Sequence, residues 1–172
     1  YIESEIEKLP NIDNRKAIKI EHCVNCLEKI PGILDQLEAY TLFLLSMSAP
    51  TDNVIVEVGS YLGRSTSYMA LGSMIAKKQE VYAVDMFPKE SDWYLGEDGF
   101  YHIKGSNYYL GQEIYQERST FFYSDRVYKS TLDIFQEIIK KVGLEEYVEP
   151  FKGTSSMCAK TLNMPLRMIF ID

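Results

Sequence analysis

The chain has 172 residues, enough for one domain with a single substantial core, and its 46% hydrophobic and 25% charged residues exclude a disordered or collagen-like chain. A net charge of -7 and a pI near 4.9 argue against a nucleic-acid partner, which usually meets a basic face. No apolar run approaches the roughly 20 residues that span a bilayer, no signal peptide opens the chain, and three cysteines make no disulfide framework, so a cytoplasmic protein is expected.

The first 35 residues are polar and mixed, with Pro10, Pro31 and Gly32 as breakers, and read as a helical or irregular lead-in. Within them Ile18, Val24 and Leu27 fit one amphipathic helix. A second helix is expected over Leu34 to Met47, with Leu37, Tyr40, Leu44 and Leu45 at helical spacing and Pro50 beyond its end. The β-branched run Val54-Ile55-Val56-Glu57-Val58, closed by Gly59, reads as a buried strand. Helical spacing resumes from Ser65 to Lys78, and Val81-Tyr82-Ala83-Val84-Asp85 is a second strand ending in a carboxylate. Strand, glycine turn, helix and strand in that order make a βαβ unit, which implies a parallel sheet.

The segment at about 86–129 breaks this rhythm as an aromatic-rich insertion. Its aromatics, Trp93 and Tyr94 leading among them, suit either a substrate wall or a satellite cluster over the sheet edge. Ser130 or Thr131 then caps a helix with the apolar face Leu132, Phe135, Ile138, Ile139 and Val142, stopped by Gly143. A third strand is expected over Tyr147 to Phe151, a short helix over Ser155 to Leu162, and a fourth strand over Arg167 to Ile171. The sum is a doubly wound, mostly parallel α/β domain over residues 36–172. The chain begins at Tyr1 and stops at Asp172 directly after an apolar run that reads as a buried strand, so a fold truncated after its fourth strand is expected.

In such a sheet, ligands bind beyond the carboxyl ends of the strands, where the strand order reverses. Three features fall there. Gly59 and Gly63 frame the turn Glu57-Val58-Gly59-Ser60-Tyr61-Leu62-Gly63-Arg64-Ser65-Thr66, with hydroxyls and free N–H groups at a helix start that suit a small anion. The turn offers G-x-x-x-G where a dinucleotide clamp needs G-x-G-x-x-G, so a small carboxylate fits better than a pyrophosphate. Asp85 can accept both ribose hydroxyls of a nucleoside, and Gly153-Thr154-Ser155 places a hydroxyl near a base edge.

These residues resemble the small class I S-adenosylmethionine-dependent methyltransferases, the macrocin-type sugar and catechol O-methyltransferase-like enzymes above all. The resemblance runs from Ile30-Pro31-Gly32 and Glu38 through the turn, Val84-Asp85 and Gly153-Thr154-Ser155 to Ile169-Phe170-Ile171-Asp172. It implies a Rossmann-like fold, S-adenosylmethionine as cofactor and methyl transfer to a hydroxyl of a sugar, phenol or polyketide-like small molecule. Carried over, Glu57, Gly59 and Gly63 would border the methionine portion beside Ser60, and Ser65 would bind its carboxylate with Tyr61 alongside. Asp85 would take the ribose, Ser155 the adenine edge, and Asp172 would be the first ligand of Mg²⁺ in the metal-dependent members. In many relatives a segment of glycine, histidine and further acids follows this Asp; it is absent here, and the general base and remaining metal ligands are expected there or just beyond Asp172.

Two other readings use the same architecture: a nicotinamide-dinucleotide oxidoreductase, disfavoured by the missing third glycine, and a non-catalytic interaction module. An open fourth strand would leave an apolar edge that a second copy of the chain, in a homo-oligomer, could cover. Other features are bland. Cys23 and Cys26 form a C-x-x-C inside a helix-like stretch and read as packing, and His102 reads as a solvated loop residue. Arg64 either meets an anion or faces solvent, and Glu145-Glu146 is a polar loop.

Overall fold

The computed structural model describes residue 24 and residues 26–48, 53–77, 80–123 and 130–172. In chain order the main elements are helix α1 (Gln36–Ser48), strand β1 (Val54–Val58), helix α2 (Arg64–Ile75) and strand β2 (Val81–Asp85). Strands β3 (Trp93–Leu95), β4 (Tyr101–Ile103) and β5 (Tyr109–Leu110) and helix α3 (Gln112–Tyr123) follow. Helix α4 (Thr131–Val142), strand β6 (Val148–Lys152), helix α5 (Ser155–Thr161) and strand β7 (Leu166–Ile171) complete it.

The four long strands form a parallel sheet in the order β6-β2-β1-β7. Alternation along β1 and β2 divides their side chains between two layers. Ile55, Val81 and Ala83 face α1, α2 and α4, whereas Val56 and Val84 face Cys158 of α5. Helices therefore cover both faces, as the doubly wound reading requires. Val24, Leu27 and Ile30 of the lead-in are buried in the larger of these two cores, and the Tyr68 hydroxyl of α2 donates to the Val24 carbonyl at 2.9 Å. Ile18 lies outside the described residues.

Helix α4 follows its sequence closely. Ser130 caps it by accepting from the Asp133 N–H, and Gly143 ends it with φ 77°. Its buried face is Ile134, Phe135, Ile138, Ile139 and Val142, with Leu132 only partly covered. Glu145 and Glu146 open a 3₁₀ turn leading into β6.

Helix α1 corrects its expected face. The residues it buries are Ala39, Leu42, Phe43 and Ser46, while Leu37 is 77% exposed and Leu44 and Leu45 are half exposed. Both sets have helical spacing, because α1 is apolar on most of its circumference. The tie is broken by Gly72 of α2, which has no side chain to hold α1 away. A Cβ there would lie 2.0 Å from Ser46 Oγ and 2.6 Å from the Phe43 carbonyl oxygen.

Strand β7, expected as an apolar fourth strand, lies at one edge of the described sheet. Ile169 and Ile171 are exposed, and only Met168 and Phe170 pack on the core. Its register slips between Val54/Leu166 and Ile55/Met168, leaving Arg167 as the extra residue of a bulge. The bulge turns Arg167 toward the helices, where Nη1 donates to the Ser46 carbonyl and Nη2 to Ser73 Oγ at 2.5 Å. One side chain thus ties the edge strand to both α1 and α2.

The close α1–α2 approach gives the first prediction. Gly72→Ala must push backbone apart, and should lower stability by about 1–3 kcal/mol or more, the usual cost of overpacking. Urea unfolding with an unchanged m value would register this as a lower midpoint. An unaltered midpoint would mean that the helices are not held at this distance.

Candidate functional site

Strand order reverses between β1 and β7, and a cavity of about 560 Å³ opens at the carboxyl ends of the strands there. That is within the range of small-molecule sites. The sheet ladder continues past the strand ends into its floor. Gly59 N–H donates to the Val84 carbonyl at 2.8 Å, Gly153 N–H to that of Asp85 at 2.9 Å, and Asp172 N–H to that of Val58 at 3.0 Å.

The turn from β1 into α2 needs three left-handed residues, Gly59 (φ 93°), Tyr61 (φ 49°) and Gly63 (φ 86°). For tyrosine this conformation costs free energy unless something fixes it. Asp85 does so: its Oδ2 accepts the Tyr61 N–H at 3.0 Å, and its Oδ1 accepts the Phe87 N–H at 2.8 Å. Phe87 is also left-handed, at φ 44°, and the Lys152 ammonium holds its carbonyl at 2.9 Å. Burial pushes the Asp85 carboxyl up from its usual range, and these backbone N–H groups oppose the shift.

Glu57 is fully buried, between β1 and α2. Its two oxygens accept hydroxyl protons from Ser65 and Thr66. Burial raises its carboxyl from 4.5 to about 7 despite the Ser65, Thr66 and Ser60 hydroxyls that hold it down. Ser60 Oγ, buried itself, makes no hydrogen bond of good geometry and lies at the cavity wall.

The structure brings Gly59, Ser60, Tyr61, Ser65, Asp85, Ser155 and Asp172 to the wall of one cavity. Glu57 and Gly63 stand behind that wall. Glu57 supports the turn, and a Cβ on Gly63 would press on Phe135 of α4 at 2.9 Å. The Ser65 hydroxyl proton is already given to Glu57, which leaves its backbone N–H and lone pairs for a ligand. Helix α2 has no side-chain cap, so its first turn is open toward the cavity. Arg64, at that first turn, is half-buried, lines the cavity and donates to the Gly32 carbonyl at 2.9 Å, so it is not a solvent-facing residue. Thr154 caps α5 by accepting from Met157 N–H, with Ser155 next to it at the wall.

The insertion is both structured and part of the site. Strands β3, β4 and β5 form an antiparallel sheet, pairing Trp93 with Ile103 and Tyr94 with His102. Trp93 and Ile103 share one face and line the cavity, backed by the Trp93–Tyr115 contact at 5.3 Å. Tyr94 is on the opposite face and is no part of the wall, since adjacent strand residues point apart. There it stacks on His102 at 5.5 Å. His102 is a strand residue, with Nε2 3.0 Å from both Asp98 oxygens, and this contact holds Asp98 below the usual carboxylate range. Tyr108, one of the aromatics expected there, also lines the wall, as does Arg118, which sequence reasoning missed. Arg118 donates to the Tyr108 hydroxyl at 3.1 Å and lies 5.3 Å from the Tyr61 ring centroid.

Asp172 lines the cavity, yet among the described residues no group of three or more His, Cys, Asp or Glu is placed to hold a metal. The described residues therefore do not assemble the expected Mg²⁺ site. Cys26 is buried, and Cys23 lies outside the described residues. No described helix is long and apolar enough to cross a membrane.

The buried Glu57 makes stability pH-dependent. Its folded pKa of about 7 exceeds the unfolded value of 4.5, so the native state binds more protons between them. Its contribution is thus fully present below 4.5 and is lost as pH rises through 7. Glu57→Gln should remove this slope, so that the wild type loses about 3 kcal/mol relative to the variant across the window. Urea midpoints of both proteins from pH 4.5 to 7.5 would check it, and parallel curves would refute it.

Comparison with known proteins adds the family. The methyltransferase domain family matches residues 56–172, which includes the turn, Asp85, the insertion and Asp172. No curated protein matches the chain. The matched region is more than half of the chain and takes in β2, β6, β7, most of β1 and most of the cavity wall. The chain therefore belongs to the methyltransferase domain family, and its cofactor is S-adenosylmethionine.

Proposed function

We propose that this domain transfers a methyl group to a hydroxyl of a small molecule, with the cofactor held along the sheet ends and the acceptor against the insertion. The observation that carries the reading is Asp85. Its carboxylate sits at the cavity wall beside Gly59, with each oxygen fixed by one backbone N–H and lone pairs left over. That suits a ribose diol, which needs two oriented acceptors.

The other residues extend this assignment. Gly59 and Ser60 bring the chain to the cavity wall with no bulky side chain on Gly59, which suits a polar chain lying close against them. Since the Ser65 hydroxyl proton is committed to Glu57, the cofactor carboxylate would rest on the first-turn N–H groups of α2 with Arg64 beside them. Ser155 would meet the adenine edge. Hydroxyl acceptors are supported by the likeness of the turn to small O-methyltransferases, and Asp172 would face the acceptor end.

When bound, S-adenosylmethionine would supply an electrophilic methyl group, whose bond to sulfur breaks as the acceptor oxygen takes the methyl, leaving S-adenosylhomocysteine and a released hydroxyl proton. The work of this chain is then chiefly alignment, because in-line transfer gains most from fixed geometry. Sheet ends and a hydrogen-bonded turn fix one reactant. Trp93, Ile103 and Tyr108 give the other a largely apolar wall to lie against.

Calorimetric titration with S-adenosylmethionine and S-adenosylhomocysteine, with NADH as control, tests this reading. Micromolar binding of both, none of NADH, and loss in Asp85→Ala are expected. Asp85 also holds Tyr61 and Phe87, so the variant should melt at a lower temperature as well, and Arg64→Ala offers an independent check. It should weaken S-adenosylhomocysteine about tenfold, as for a lost charge-assisted hydrogen bond, while leaving adenosine unchanged. A folded wild-type chain that binds neither sulfur nucleoside would overturn the reading.

A further inference from the structure

We propose that Arg118 selects methyl acceptors that carry an anionic group, a carboxylate or a phosphate, and binds that group in the cavity. The inference rests on the methyltransferase reading above and adds the chemical class of its acceptor.

Arg118 projects from α3 to where the insertion meets the turn at Tyr61. Its side chain is half-buried and lines the cavity. A guanidinium has five N–H donors in a rigid fork. One goes to the Tyr108 hydroxyl, and the flat face rests over the Tyr61 ring. Among the described residues the sole ion pair is His102–Asp98, so no described carboxylate pairs with Arg118. A half-buried guanidinium beside Tyr61 and Tyr108 with no described carboxylate paired to it keeps donors available for an anion.

The same surroundings strengthen any anion that does arrive, because the aromatic walls lower the local dielectric. Tyr61 and Tyr108 hold the guanidinium in place beforehand, so little freedom is lost on binding. Recognition has to be local, since a chain of net charge -7 does not draw anions from a distance. Arg118 meets the turn at the Tyr61 ring. It belongs to the insertion, with Trp93, Ile103 and Tyr108, while Arg64 is the cation at the start of α2.

Aryl probes suit these walls: benzoate, phenyl phosphate and uncharged benzyl alcohol, each titrated calorimetrically into protein saturated with S-adenosylhomocysteine. At least one anion should bind at millimolar concentration, with benzyl alcohol weaker by about tenfold or more, the usual worth of a charge-assisted contact. The stronger of the two anions identifies the group. Arg118→Gln should abolish the difference between anion and alcohol, and Arg118→Lys should restore part of it, keeping charge without the fork. Both variants should bind S-adenosylhomocysteine as the wild type does, which also shows that they are folded.

The proposal fails if benzyl alcohol binds as well as the anions, if no anion binds, or if Arg118→Gln leaves anion binding intact. It also fails if Arg118→Gln loses S-adenosylhomocysteine, because Arg118 would then serve the cofactor carboxylate. A wild type that does not bind S-adenosylhomocysteine overturns the cofactor reading instead. The anion titrations, repeated on that ligand-free protein, would still decide on Arg118.

Discussion

A buried carboxyl group sets the geometry of this site. Glu57 accepts hydroxyl protons from Ser65 and Thr66, and so fixes the first turn of α2 against β1. With both ends pinned, the five residues 59–63 have little choice of path, and three of them go left-handed. The path brings the Tyr61 N–H to Asp85, whose other oxygen takes the Phe87 N–H where β2 hands over to the insertion. One chain of contacts therefore runs from the sheet interior to the cavity and out to the aromatic wall. Removing an early link loosens every later one.

The proposed role of Asp85 pulls against its surroundings. To bind a diol it would have to be ionised at the cavity, yet its burial favours the neutral acid. The Tyr61 and Phe87 N–H groups resolve the conflict by stabilising the charge, and the same bonds fix two residues in conformations that non-glycine residues avoid. A ligand carboxylate at the end of a strand needs no such arrangement. The strain is local evidence that position matters here, and it lies within the residues that the family match covers.

Elements whose signals are local were legible in the sequence. The β-branched runs gave β1 and β2 to within a residue, and α4 announced its cap, face and stop. The cluster of Gly59, Ser60, Tyr61, Asp85 and Ser155 was legible because topology alone brings parallel strand ends together. What stayed hidden depended on a second element. The face of α1 was undetermined until Gly72 of α2 admitted Phe43 and Ser46. The bulge at Arg167 has no sequence signature, since it follows from how β7 meets β1. Trp93 and Tyr94 were indistinguishable until the strand pairing put one inside and one outside. Arg118 was hidden for the same reason, because nothing near it in sequence foretells Tyr61.

The two halves of the cavity are built from different materials, and this bears on specificity. The sheet side presents backbone groups and Asp85, whose positions follow from the Glu57 chain of contacts and tolerate little change. The insertion side presents side chains alone: Trp93 and Ile103 from a small sheet, Tyr108 from the approach to β5, and Arg118 from α3. Substituting these side chains alters shape and charge at the acceptor without touching the bonds to Glu57 or Asp85. A fold can thus keep one cofactor while its acceptor changes, so long as variation is confined to the insertion. Arg118 is the informative exception, because its guanidinium reaches across to the Tyr61 ring. The cation proposed for the acceptor thus rests on the turn proposed for the methyl donor, so that a shift of this turn would move both.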